Sequence, residues 1–253
     1  MSVRARVDGF VASIVVDRPA RRNAFTQDMW KETTALIRRL DADPDIRVMA
    51  LESAVEGVFS AGADLDELRA ASGDADRAAA DLEVIRGTFE AMVEVTTPIV
   101  AFVDGACHGG GVGMAVCADI RIATDRSRFS IPPARLGLVY PAPALRRLVG
   151  LVGPGQARRL LFTASTIDAS EAERIGLIEV TCAHEELADR RAEIVEEIAG
   201  ASPTAVAAMG SLIDRIHDDR ADELARTLER RAVVGPDHRE GLSAVLEGRP
   251  PSF

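Results

Sequence analysis

His108-Gly109-Gly110-Gly111-Val112-Gly113-Met114 places four glycines in seven positions, directly ahead of a run with helical spacing. The first amides of a helix find no carbonyl within it, and glycine leaves them unscreened, so this segment aims free N–H groups at one point. Upstream, Phe59-Ser60-Ala61-Gly62-Ala63-Asp64-Leu65 has the same character, small residues before a helix-like run. One amide from each segment would make a pair suited to a developing oxyanion. Position 113 is glycine, and no carboxylate lies near the glycine-rich segment. A place for negative charge is therefore legible, while its acid and base are not.

The surrounding composition bounds the answer. With 253 residues, 47% hydrophobic and 28% charged, the chain suffices for one large domain, or a domain with a helical appendage. Thirty basic residues against forty acidic ones give a net charge of −10, which disfavours a nucleic-acid or membrane-surface partner. No apolar run approaches the roughly 20 residues of a membrane span, and no signal peptide precedes the first strand-like alternation. Cys107, Cys117 and Cys182 lack paired metal spacing, and His108, His184, His217 and His238 form no H-x-x-x-H pair, so no metal is expected. Odd, unpaired cysteines fit a reduced, cytoplasmic setting. Lys31 is the only lysine, which leaves Schiff-base and P-loop chemistry almost without a candidate.

Working outward, Val3–Val7 and Phe10–Val16 read as a hairpin around an Asp8-Gly9 turn of type I′ chemistry. Thr26 caps a helix through about Leu40. Strands are expected at 48–51, 99–103, 120–123 and 129–131, the last stopped by Pro132-Pro133. Residues 70–81 read as a mobile surface segment and 82–95 as a helix. Gly110–Cys117 should be a short helix, and from Gly153-Pro154 onward the pattern is helical. Strand units first and helices last indicate an α/β core over residues 1–195 and a helical C-terminal region over 196–253.

Taken in order with their flanks, these segments resemble the crotonase (enoyl-CoA hydratase/isomerase) superfamily. The likeness runs from Asp17-Arg18-Pro19-Ala20-Arg21-Arg22-Asn23-Ala24-Phe25 through Phe59–Leu65 and Gly105–Ala123. It continues over Ala134–Leu138, Phe162–Ala164 and Ala172–Ile178, and ends at Glu240-Gly241 and Pro250–Phe253. The resemblance implies a spiral of ββα units whose C-terminal helices make a homotrimer, often a hexamer built as a dimer of trimers. It implies an acyl-CoA thioester substrate, with no cofactor beyond the CoA moiety. By the same likeness, the amides of Ala63 and Gly110 hold the thioester oxygen as it becomes an enolate. Arg22 and Ala24 would line the CoA entrance, and Ala61, Asp64 and Leu65 would border the adenine.

In hydratases of this superfamily a glutamate follows the glycine triplet by one residue and a second follows the later proline. Here those positions are Gly113 and Pro133. Hydration needs an acid and a base within hydrogen-bond reach, and neither residue supplies one. The resemblance then points to an enolate reaction without the usual glutamates, whether decarboxylation, isomerisation or a variant hydration. A catalytically silent CoA-thioester-binding protein is the other reading. Tyr140 falls where the loop beneath the acyl group should lie; it is either a functional tyrosine, as one at a similar place in decarboxylating members implies, or a packed aromatic with a satisfied hydroxyl. His108 is either a proton donor or a ligand to an acyl carboxylate, or else an imidazole packed beneath the turn. Arg135, Arg146 and Arg147 could hold a carboxylate or phosphates, and Glu83 and Glu90 could replace a catalytic group; solvation is the alternative for each.

Overall fold

The computed structural model of the protein describes residues 2–216 and 221–253, and His217 lies outside them. The chain opens with β1 (Val3–Asp8) and β2 (Val11–Val16), antiparallel with Asp8 opposite Val11. That register makes Gly9 and Phe10 the turn, one residue later than expected. Gly9 has φ +55° and Phe10 is not among the residues with positive φ. Glycine in the first central position is the type II′ preference, not type I′. β3 (Ala24–Phe25) precedes α1 (Gln27–Asp41), where the Thr26 hydroxyl accepts from the Met29 amide, as predicted.

A strand–strand–helix unit then recurs. β4 (Val48–Ser53), β5 (Val58–Ser60) and β6 (Gly62–Ala63) lead into α2 (Leu65–Ala71) and α3 (Ala75–Glu94). β7 (Ile99–Val103) and β8 (Ala106–His108) lead into α4 (Gly110–Cys117). β9 (Ile120–Thr124) and β10 (Arg128–Ser130) lead into α5 (Ala142–Thr163). β11 (Ile167–Asp168), α6 (Ala169–Arg174) and β12 (Val180–Cys182) follow, then α7 (Leu187–Gly200), α8 (Pro203–Asp214), α9 (Ala221–Val234) and α10 (Pro236–Glu247). Each unit adds its first strand to a sheet ordered β1-β2-β4-β7-β9-β12 and a later one to a sheet ordered β11-β10-β8-β5. From β2 onward the larger sheet is parallel. This stepwise growth is the mixed α/β spiral that the resemblance implies.

The parallel strands read as continuous apolar runs because both faces of the sheet are covered. Met49, Leu51, Ile99, Ala101 and Val103 face the main core; the alternate Val48, Ala50, Val100 and Phe102 pack beneath α7 with Val195. At three further places the structure differs from what the sequence predicts. Residues 70–81, expected as a surface segment without helix, hold the end of α2 and the first turns of α3, which starts at Ala75, capped by the Asp74 carboxylate, which accepts from the Arg77 amide at 3.0 Å. Alanine's helix preference outweighs the scattered aspartates there. α5 is two helical segments meeting at Gly153, whose φ +72° and ψ 164° are not helical: the helix expected from Pro154 is there, and what the sequence reading lacked is the segment before it, with Pro143 in its first turn. Finally β5, β6, β8, β11 and β12, of two or three residues each, were absent from the sequence reading because such short strands carry no period.

Candidate active site

The β3–β6 ladder orients the first amide. Asp64 N–H donates to Phe25 O at 2.8 Å. Successive N–H groups of a strand point to opposite sides, so the Ala63 N–H turns away from β3 and toward the start of α4. There Gly110 opens the helix, with no carbonyl of its own helix to bond. Gly62 brings the two segments together. Its φ is +94°, and a Cβ on it would lie 2.8 Å from His108 O and 3.0 Å from Gly110 N. A Cβ on Gly110 would lie 3.6 Å from Ala63 N. Only glycine at position 62 allows this approach.

An apolar cavity opens beside the amides. Ala63, Gly109 and Gly110 line it together with Trp30 from α1, Leu68 from α2, Leu82, Ile85 and Phe89 from α3, and Pro132–Pro133, Leu136 and Leu138–Pro141 from the loop before α5. Trp30 is fully buried, tilted on Phe25 at 4.4 Å between centroids and edge-on to Phe89 at 5.6 Å. Phe89 also closes the space over Gly113, where a Cβ would sit 2.4 Å from its Cζ. The side of α4 from which the resemblance places a glutamate therefore meets an aromatic ring. Tyr140 carries the only hydroxyl among the described lining residues, and it donates to Gly109 O at 3.0 Å. Burial raises the Tyr140 pKa well above its ordinary value, with the nearby thiols Cys117 and Cys107 adding to it, so this hydroxyl stays protonated.

The residues expected along the CoA path lie from the end of the first 3-10 turn through β3 and β6 to the start of α2, and none of them lines the cavity. Arg22 sits at φ +51° and its carbonyl accepts from Ala61 N–H at 3.0 Å; the side chains of Arg22 and Leu65 are exposed, and Ala24 and Ala61 are half-buried. Asp64 is 4% exposed and its carboxylate is spoken for, at 2.7 Å from Arg18 and capping α2 through the amides of Asp66 and Glu67. Burial works to raise its pKa, but Arg18 and those amides hold it below the ordinary range.

His108 is not on the cavity wall: its Nδ1 lies 2.8 Å from Ser130 Oγ on β10. Burial, and then the Arg22 charge, lower its pKa, so it is neutral at pH 7. Arg147 pairs with Asp214 at 2.6 Å, Arg135 reaches Thr163 O at 3.1 Å, and Glu83 faces Arg86 at 3.5 Å. Neither these nor Arg146 and Glu90 line the cavity. Cys107, Cys117 and Cys182 are buried thiols, and burial pushes Cys117 up to about 12. Sequence reasoning missed Trp30, Leu82, Ile85 and Phe89, whose helical spacing looks the same whether a side chain meets core or cavity.

Two segments with backbone amides beside an apolar cleft, carried on a spiral of ββα units, define the class of fold to which the chain is compared. The chain belongs to the enoyl-CoA hydratase/isomerase family, whose model matches residues 6–253. It is 34% identical over 254 residues to a short-chain-enoyl-CoA hydratase of Clostridium acetobutylicum, covering 96% of this chain and 93% of that one. It is 29% identical to a peroxisomal Delta(3,5)-Delta(2,4)-dienoyl-CoA isomerase of Arabidopsis thaliana, covering 99% and 95%. A solved Hyphomonas neptunium structure of the enoyl-CoA hydratase/isomerase family superposes with a TM-score of 0.94 at 33% identity, over 100% of this chain and 97% of that one.

Proposed function

We propose that the protein binds an acyl-CoA thioester and carries it through an enolate held by the Ala63 and Gly110 amides, without a catalytic carboxylate. What supports this reading is that Ala63 and Gly110 both line a cavity whose described lining has a single ionisable group, Tyr140. Preorganised donors in a dry site stabilise developing charge by several kcal/mol, of order 3 for one donor. Three reactions pass through this intermediate. Decarboxylation reaches the enolate by loss of CO2 and then takes a proton from water, whereas isomerisation and a variant hydration also need an acceptor, water or a basic group of the substrate, for the proton that leaves the α-carbon or the attacking water. Arg22, Ala24, Ala61, Asp64 and Leu65 form the CoA rim in this reading, and no further cofactor is invoked. Its setting is cytoplasmic, and its α8–α10 face builds a homotrimer or a pair of trimers.

One observation favours a silent binding protein instead: the Tyr140 hydroxyl is committed to Gly109 O and is not free to carry a proton. Incubation with crotonyl-, methylmalonyl- and longer enoyl-CoAs separates the two, with Ala63→Pro as the variant lacking one amide. The enolate reading expects turnover of at least one thioester, lowered about 100-fold or more by Ala63→Pro. Tight binding with no turnover across the panel would leave the silent reading standing.

A further inference from the structure

We propose that Tyr140 is a positioning residue that sets the peptide plane of the oxyanion hole through the carbonyl of Gly109. The Gly109 carbonyl and the Gly110 N–H belong to one peptide unit, and in a planar trans peptide they point in opposite directions. Whatever fixes Gly109 O therefore fixes the line along which Gly110 N–H meets the thioester oxygen. Two donors converge on that carbonyl, Tyr140 Oη at 3.0 Å and Gly113 N at 3.1 Å. The unit needs them because a glycine lies on each side of it. Gly109 holds φ +51° and ψ −112°, a conformation open to glycine, and no Cβ at either position resists rotation of the plane. A rotated plane turns the N–H away from the cavity and leaves Ala63 alone.

Placement of Tyr140 is rigid. It is 7% exposed, joined to the main core, and followed by Pro141, which restricts its backbone. Burial keeps its hydroxyl a donor at every working pH. A chain of hydrogen bonds also polarises itself, so a donor on the carbonyl strengthens the N–H across the same amide, by about 10–30%. The role rests on the acyl-CoA reading, but it differs from proton donation: Tyr140 acts on the substrate only through the Gly109–Gly110 peptide.

Tyr140 is the only tyrosine in the chain, so biosynthetic replacement of tyrosine by 3-fluorotyrosine changes this one hydroxyl and makes it a stronger donor. The readout is the infrared carbonyl stretch of crotonyl-CoA labelled with carbon-13 at the thioester carbon, free and bound. The wild type should lower the stretch on binding, the fluorinated protein should lower it further, and Tyr140→Phe should recover about half of the wild-type shift. For any thioester turned over, Tyr140→Phe should lower kcat about tenfold with KM within about twofold. Equal carbonyl shifts in all three proteins overturn the role, whatever happens to stability. Tight binding to wild type with no carbonyl shift overturns it together with the oxyanion hole, and no binding of crotonyl-, methylmalonyl- or longer enoyl-CoAs, each labelled in the same way, overturns the acyl-CoA reading itself.

Discussion

At the scale of single residues, the site is defined by pairs in which one member is small because the other fills its space. Gly113 and Phe89 are the sharpest case. Placing a carboxylate there by Gly113→Glu should not create a hydratase, because the new Cβ would meet Phe89 Cζ at 2.4 Å and the carboxylate would be buried without a partner. Overpacking costs about 1–3 kcal/mol and the unpaired polar group adds to it. The single variant should lose at least about 2 kcal/mol in urea unfolding and hydrate no crotonyl-CoA. Phe89→Ala in the same chain removes the clash and should recover part of that loss. A Gly113→Glu protein as stable as the parent would show that α3 yields at this point and that the pairing is not a constraint.

Elements are held at their corners by polar groups, and the β7–β8 corner is the best tied. Asp104 Oδ2 accepts from Gly57 N–H at 2.9 Å, Oδ1 accepts from Thr124 Oγ1 at 2.9 Å, and Arg126 binds both oxygens at 2.5–2.7 Å; His184 Nδ1 lies 3.3 Å away. Burial works to raise the Asp104 pKa, but Arg126 and the other donors outweigh it and bring it from 3.8 to about 2. A carboxyl lowered in the folded state binds its proton more readily when unfolded, so it contributes stability above pH 3.8 that fades as pH falls toward 2. The urea midpoint of the wild type should therefore drop between pH 5 and pH 2 more steeply than that of Asp104→Asn. Parallel curves would mean that the corner does not feel this ionisation. Much at this scale was legible beforehand: the Thr26 cap, the strand at 99–103 and the helix at 110–117 follow from local chemistry. What escaped was non-local. The two-residue β6 exists because Gly62 fits against His108 O, and the Tyr140–Gly109 bond joins residues far apart in the chain. No window of sequence contains either contact.

Over the whole molecule, the spiral buries its sheets on both faces and leaves its last helices with apolar residues outward. Met209 and Ile213 of α8, Val233 and Val234 of α9, and Leu242, Val245 and Leu246 of α10 are each more than half exposed, Val245 and Leu246 at 78% and 79%. A soluble chain rarely leaves so many large apolar side chains on one run of helices unless another surface covers them. Identical copies meeting through this face would account for it, in closed cyclic symmetry because a self-complementary ring removes every such patch. Sedimentation equilibrium should give a multiple of 27.0 kDa, three-fold or six-fold, and Val245→Asp with Leu246→Asp should shift the protein toward the single chain. These two side chains are the least buried of the set, so the double variant removes little internal packing and the chain should keep its helical circular dichroism. A wild type that sediments as one chain over the micromolar range would sink the assembly. A double variant that stays three-fold would move the interface to another face and leave this patch to a different partner.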